Sequence, residues 1–394
     1  MIAAAALALT LVALAAVPPA GYLLLATLLS ARARTPAPSS RRVKFDVLVP
    51  AHNEESVIVR VVQSLKRLDW PQDRFRIIVI ADNCTDATAA LARGTGALVF
   101  ERHDPAQRGK GYALAYAFER SAAEAWADAV VVIDADAEAS PNLLEAFAAR
   151  IEHGAAAVQA HYGVLNPMAS WRTRLMTIAT AAFHIVRSRA RERLGLSCGI
   201  RGNGWCVTHR LLQRVPYRAF SLAEDLEYGI EIGMGGARVH YADEAHSNAD
   251  MVSGEQIANK QRQRWERGRF QLIREKTVPL LRAARARRSA VCLDLALDLL
   301  VLPLSYVALT ITALLMLAAL ASLWHSVFVP WLGIGIGSAA AVALYVLRGW
   351  YLSGIGARGL IDLARAPLFL VWKIVLMQKR KTSDEWIRTE REKP

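Results

Sequence analysis

Apolar residues crowd the two ends of the chain and thin to a repeating pattern between them. From Met1 to about Ala31 the chain is almost unbroken Ala, Leu, Val and Ile, long enough to cross a bilayer even with Pro18 and Pro19 inside the run. A second run covers about Val291 to Trp324 and a third Val327 to Leu347, with only His325 and Ser326 between them, which predicts a hairpin of spans. Between the ends, short apolar stretches alternate with amphipathic ones. Phe45 to Pro50, Arg76 to Ala81, Ala97 to Phe100, Ala129 to Ile133 and about Ala155 to His161 read as strands, the first three each followed by a helical segment. Repeated β-α units of this length predict an α/β domain with a doubly wound, largely parallel sheet. Such sheets meet ligands on the loops at the carboxyl ends of their strands. Pro50 to Glu54, Asp82, Lys110 and the turn Asp134-Ala135-Asp136 are therefore predicted to face one cleft.

Composition agrees with a membrane protein that has a water-soluble middle: 54% of the 394 residues are hydrophobic. The net charge of +13 changes the picture through its placement, because Arg32, Arg34, Arg41, Arg42 and Lys44 follow the first apolar run and Arg282, Arg285, Arg287 and Arg288 precede the second. By the positive-inside rule the middle of the chain is cytoplasmic. Ala13-Leu14-Ala15 resembles a signal-peptidase site, yet no basic residue precedes the apolar run, which favours an anchor. Basic clusters that border spans, with no basic-aromatic stripe, argue for lipid headgroups and against nucleic acid. Four scattered cysteines, Cys84, Cys198, Cys206 and Cys292, give no zinc or disulfide framework. Asp294 and Asp298 would each cost about 2.5 to 3.5 kcal/mol at mid-membrane, so they are expected to face the interface or other protein. Gly354 to about Met377 is apolar but interrupted by Arg358, Asp362, Arg365 and Lys373, and it is expected to lie in the interface ahead of a basic tail.

The candidate chemistry lies in the middle. Two carboxylates one residue apart at a strand end, Asp134 and Asp136, fit a hard divalent cation, although a solvated turn explains them equally well in isolation. Met168 to Leu194 interleaves apolar residues with Arg172, Arg174, Arg187, Arg189, Arg191 and Arg193, either as an amphipathic helix on an anionic membrane or as a solvated basic face. Gly199 to Gly204 is too rich in glycine for an ordinary strand and would let a ligand approach the backbone, or form a simple turn. Ser221 to Leu226 places Glu224 and Asp225 at a helix start, where helix capping is the plain alternative to catalysis. Gln261, Arg264 and Trp265 share one helical face by i, i+3 and i+4 spacing, supplying an amide, a cation and an indole.

Taken together these residues resemble the membrane-integrated family 2 glycosyltransferases of the GT-A fold, a Rossmann-like, mostly parallel architecture. Pro50-Ala51-His52-Asn53-Glu54 is similar to that family's Pro-Ala-Tyr-Asn-Glu opening, Asp134-Ala135-Asp136 to its metal and diphosphate motif, Glu224-Asp225 to its Glu-Asp pair and Gln261 to Trp265 to its Gln-x-x-Arg-Trp motif. His52 replaces the usual Tyr, and Asn83 replaces a second acid after Asp82. The resemblance implies a donor site of Pro50, Ala51, Asn53, Glu54, Asp82, Lys110, Asp134, Gln261, Arg264 and Trp265. It implies acceptor contacts from Gly202, Asn203, Gly204 and Trp265. Asp134 and Asp136 would hold Mg²⁺ or Mn²⁺, and Asp225, beside Glu224, would be the catalytic base.

The expected organisation is a transmembrane helix over 1–31, a cytoplasmic GT-A domain over 44–245, a Gln-x-x-Arg-Trp segment and membrane-proximal helix over 246–290, a hairpin of spans over 291–347, and an interfacial helix with a basic tail over 353–394. The expected activity is inverting transfer from a nucleotide-sugar donor, with a UDP-sugar as the expected donor, to a lipid or lipid-linked glycan acceptor. It would take place at the cytoplasmic face of a bacterial inner membrane, in envelope glycan or exopolysaccharide biosynthesis. Two alternatives stand beside it. One is a processive synthase of the cellulose, chitin or hyaluronan type, completed by a homo-oligomer or by polysaccharide-assembly partners; the other is a non-catalytic nucleotide-sugar-binding subunit.

Overall fold

The unbroken apolar runs of the middle segment form the strands they predict. β1 (Phe45–Ala51), β2 (Phe75–Asp82), β3 (Leu98–Arg102) and β4 (Ala129–Val132) pair in parallel, and Val130, Val131 and Val132 have no solvent exposure. The computed structural model describes residues 1–251 and 255–365, with backbone alone at 255–260 and 262. Four further strands complete one sheet: β5 (Ala137–Ala139), β6 (Ala157–Val164), β7 (Trp205–Thr208) and β8 (Val239–Ala249). The order is β3-β2-β1-β4-β7-β6-β8-β5; β7 runs antiparallel to β4 and β6, and β5 antiparallel to β8. Six of the eight strands therefore point the same way.

Side-chain alternation divides the core between the two faces. Val47, Val49, Val79, Val131 and Ile133 pack with Phe147 on one face, while Leu48, Ile78, Ile80, Val130 and Val132 pack with Phe118 and Trp205 on the other. Each such side chain is worth about 1.5 to 3 kcal/mol of burial, so the sheet's centre is the rigid base from which the strand-end loops project. A charge sits fully buried in β1. Asp46 takes two 2.8 Å hydrogen bonds from Nε and Nη2 of Arg76, its neighbour in register on β2, and a third of 2.6 Å from Ser121 Oγ. These partners replace the water Asp46 has lost.

All of these strands belong to one of two compact units, which comprises the described residues of 32–173 and 191–296. The other comprises 1–31, 174–190 and 297–365. It contains three helices long and apolar enough to cross a membrane, Ile2–Leu28, Leu304–Trp324 and the stretch Ser326–Ser353. Within it Leu9, Ala13 and Ala16 pack with Ile311, Leu314, Phe328 and Ala341.

Two local expectations change. The run from Val291 to Trp324 is two helices, Ala290–Leu300 and Leu304–Trp324, because Pro303 has no N–H to continue the first and suits the start of the second. Arg187, Arg189 and Arg191 line neither a solvated face nor a lipid surface, whereas Arg193 is exposed. Arg187, Arg189 and Arg191 are 4%, 9% and 2% exposed. In the second unit Arg187 Nη1 donates to Asp298 Oδ1 at 2.9 Å and its Nε to Tyr345 Oη at 3.0 Å; in the first, Arg191 Nε lies 2.9 Å from Asp294 Oδ2. Both carboxylates thus meet protein, one of the two placements expected for them. Six residues ahead of these pairs the helix widens to a π-turn over Ala181–Val186, and the Tyr345 hydroxyl donates to the carbonyl of Ala182 inside that turn. Of the segment expected at the interface, Ala357–Leu363 is helical, and Asp362 pairs with Arg174 at 2.5 Å. The remainder, with the basic tail, lies outside the described residues.

Candidate active site

The site begins where β1, β2 and β4 end, side by side. β1 closes with Pro50 and Ala51, and the chain turns through Asn53 at φ +56°. The Asn53 side chain accepts from Thr85 N at 2.7 Å, and Glu54 N donates to Thr88 Oγ1 at 2.8 Å, so the loop after β1 is fastened to the loop after β2. His52 performs the same task through Nδ1, 2.7 Å from the carbonyl oxygen of Asp82.

Asp82 ends β2 with 5% exposure. Its Oδ1 accepts from Arg102 Nη1 at 2.7 Å, and Arg102 is its register partner on β3. Asn83 then accepts from Asp104 N at 2.8 Å and donates to Asp104 O at 3.2 Å. A carboxylate there could make the first bond but not the second, which is a structural reason for an amide at this position. Asp82, Asn83, Arg102 and Asp104 are joined in one hydrogen-bonded set. Arg102 was not legible as a site residue, since only the sheet register places it opposite Asp82.

At the end of β4 the acids converge. Asp134 N donates to Asn203 Oδ1 at 3.0 Å, and Asp134 Oδ1 accepts from Lys110 Nζ at 2.5 Å; both partners' side chains are about a quarter exposed. Lys110 opens the helix Lys110–Glu124, and its ammonium also donates to Gly202 O at 2.6 Å and lies 3.9 Å from Glu224 Oε1. Gly202 has φ +87°, and a Cβ there would stand 3.3 Å from Asp225 Oδ2. Lys110 and Gly202 therefore bring together the Asp134 turn, the glycine loop and the Glu224-Asp225 helix start. Burial raises Asp134 above the ordinary carboxylate range against the pull of Lys110, and Asp136 adds to the rise. Burial likewise pushes Glu224 up to about 7, against Lys110 and Arg264 and with the help of Asp225. For Lys110 burial works downward, but Asp134 and Glu224 outweigh it and the ammonium is held more tightly than usual.

Asn203 is placed differently from expectation. It is fully buried, and its side-chain oxygen is taken by Asp134 N and by Ser247 Oγ at 3.1 Å, so it braces the turn and is closed to an acceptor. Gln159 braces the same loop, accepting from Arg201 N at 2.8 Å and donating to Asn203 O at 2.7 Å. Gly204, at φ +69°, leaves no room for a side chain: a Cβ would fall 2.7 Å from Ser247 Cβ. Gly202 stays on the cleft side beside Asp225.

Gln261, Arg264 and Trp265 lie on the helix Glu255–Arg287, which packs on the start of the Glu224–Met234 helix at Gly268, where a Cβ would come within 2.8 Å of Ala223 Cβ. Arg264 is near enough for its charge to act on Glu224, and Trp265 is 38% exposed. Gln261 sits one turn before Arg264 on that helix. On the far side of the Asp134 turn, Arg60 donates to Asp136 O at 3.3 Å and to Asp250 Oδ2 at 2.5 Å, a brace that the sequence did not disclose.

Asp134 and Asp136 offer hard oxygen donors. Among the described residues no group of three or more His, Cys, Asp or Glu side chains is arranged to hold a metal ion. Two carboxylates suit Mg²⁺ or Mn²⁺ that completes its shell with phosphate and water, and do not suit an all-protein cage.

A mostly parallel sheet with an Asp-x-Asp turn at the end of a central strand defines the GT-A class of folds. The chain belongs to the family whose profile is described as "Glycosyltransferase like family 2", which matches residues 42–268. It is 27% identical over 236 residues to the probable glycosyltransferase YdaM of Bacillus subtilis, covering 57% of this chain and 55% of that protein. It is 29% identical over 234 residues to the beta-monoglucosyldiacylglycerol synthase of a Synechocystis species, covering 57% and 47%. The chain thus spans about half the length of these curated relatives. Among solved structures it is similar in fold to the mannosyltransferase PcManGT of Pyrobaculum calidifontis, captured with GDP-mannose and Mn²⁺, at a TM-score of 0.52 and 21% identity over 87% of this chain and 98% of that one.

Proposed function

We propose that this protein transfers a sugar, with inversion, from a nucleoside-diphosphate donor to a hydroxyl of a lipid or lipid-linked acceptor at the cytoplasmic face of the membrane. The observation that carries this reading is the meeting of Asp134, Lys110, Gly202, Glu224 and Asp225 within one set of contacts at the sheet's carboxyl edge. The hydrogen-bonded set of Asp82, Arg102 and Asn83 would seat the nucleoside, with Pro50, Ala51, Asn53 and Glu54 as its floor. Lys110 and Arg264 would face the diphosphate. Asp134 and Asp136 would hold Mg²⁺ or Mn²⁺, which when bound supplies Lewis-acid stabilisation of the departing diphosphate.

Asp225 would take the proton from the acceptor hydroxyl. It lies against Gly202, whose carbonyl oxygen accepts from Lys110, and this supports a base set beside the group that would face the diphosphate. Glu224, beside it, would fix Lys110. Trp265 would stack on the acceptor sugar or lipid headgroup. A lipid acceptor agrees with the three helices among the described residues that are suited to a bilayer and with the name of the Synechocystis relative. Purified protein in lipid vesicles, given labelled UDP- and GDP-sugars, should release nucleoside diphosphate and place label in a solvent-extractable lipid. Label found only in a long water-soluble polymer would establish the processive alternative, and absence of divalent-dependent nucleotide release would overturn the enzymatic reading.

A further inference from the structure

We infer that Lys110 keeps the Asp134-Asp136 site closed to free divalent cations and yields it only to a cation that arrives with a nucleoside diphosphate. The inference rests on the metal-dependent reading just given and assigns Lys110 a second task besides binding the donor.

The ammonium is placed as a substitute cation. Its closest contacts are hydrogen bonds to Asp134 Oδ1 at 2.5 Å and Gly202 O at 2.6 Å, and Glu224 Oε1 lies within ion-pair distance at 3.9 Å. The main chain at Asp134 is fixed, because its N–H donates to Asn203 and Ser247 holds Asn203. The mobile partner is Lys110, whose flexible stem rises from the first residue of its helix.

A free divalent cation approaching Asp134 therefore meets a positive charge at the oxygen it needs. Displacing Lys110 would break its ion pair with Asp134 and leave the ammonium with Glu224 and a carbonyl. The cation would gain little in return, since the described residues offer it no third acidic, His or Cys ligand. A diphosphate changes both sides of this balance: its oxygens complete the metal's shell, and its charge gives Lys110 a new partner. Cation and nucleotide should thus bind with strong positive coupling, and Lys110 is its source. The device would keep the site from filling with metal while no donor is present, and it needs no moving loop.

The experiment is a titration of the full-length protein in detergent with Mn²⁺, followed by the electron paramagnetic resonance of the free ion, with and without UDP. For the wild type, UDP should tighten Mn²⁺ binding by about tenfold or more. Lys110→Gln should bind free Mn²⁺ about tenfold tighter than the wild type, and its gain from UDP should shrink accordingly. Lys110→Arg keeps the charge and should keep the weak binding of free Mn²⁺. Lys110→Met is the second neutral variant, and whichever of the two shows a cooperative melt serves. If a folded neutral variant binds free Mn²⁺ no tighter than the wild type, while UDP still recruits Mn²⁺ in an Asp136-dependent way, the gating role is wrong and the metal reading stands. If no variant and no wild-type sample takes up Mn²⁺ with UDP in an Asp136-dependent way, both fall together.

Discussion

Glu224→Gln should make the protein more stable, and only at neutral and alkaline pH. Glu224 is pushed from 4.5 up to about 7, chiefly by burial, with its side chain 18% exposed. Its folded-state value lies above its unfolded one, so its contribution to stability is fully present below about pH 4.5 and is lost as pH rises through about 7. Once the group is ionised the folded state has given up about 3 kcal/mol, or about 2 kcal/mol after allowing for the share that Lys110 and Asp225 exchange with it. Glutamine has nearly the shape of the protonated acid and never pays that cost. In chelator and without nucleotide, so that only protein charges act, the variant should melt with the wild type near pH 5 and a few degrees above it at pH 8. Thermal scans in detergent at fixed rate across that range would show the difference open between the two pH values. An advantage of equal size at both pH values, or none at pH 8, would refute the reasoning, because it would mean that the charge on Glu224 is not what the site resists.

Other outcomes follow from single contacts. Asp225→Asn should retain nucleotide binding in equilibrium dialysis and lose transfer by about 10²-fold or more, as expected for removal of a positioned base; normal transfer would move the base elsewhere. Asp46→Ala leaves the Arg76 guanidinium without its buried carboxylate and should cost about 3 kcal/mol, read as a lowered denaturation midpoint with nucleotide affinity unchanged in the folded fraction. Gly204→Ala must fit a side chain at φ +69° against Ser247 and should cost about 2 kcal/mol or more, with loss of metal-nucleotide binding because Ser247 and Asn203 brace Asp134.

The parts of the fold that the sequence disclosed are those with one unambiguous period. β1, β2 and β4 are buried on both faces and read as continuous aliphatic runs, and the acids that end them fall where a doubly wound sheet must place them. β7 is four residues long, and β8 runs Val-His-Tyr-Ala-Asp-Glu-Ala-His-Ser-Asn-Ala, too polar to stand out although its pairing with β6 slips at Ala160/His161 and then resumes. Both are strands because of what they pair with, and that is a tertiary fact. The same holds in the site. Asp134, Glu224 and Arg264 are chemically conspicuous in the chain, whereas Arg102 and Arg60 acquire meaning only from register and approach. Asn203 shows the converse: a glycine-flanked amide looked like a ligand contact and is a buried brace. The arginine-rich segment was misleading because a row of cations gives no sign of carboxylates a hundred residues away.

That separation has a consequence for biosynthesis. Arg187 and Asp298 are 111 residues apart. At about 5 to 20 residues per second, a ribosome delivers the arginine roughly 5 to 20 seconds before its counter-ion exists. Through that interval a guanidinium destined for a packed, water-poor setting has no acid to meet, and an unpaired buried charge of this kind costs several kcal/mol. The segment around Arg187 must therefore wait in water or in the headgroup layer until the later helices are made. An amino-terminal fragment ending before Asp298 would be expected to remain a substrate for quality control, and the two halves, expressed separately, should protect each other only when both are present.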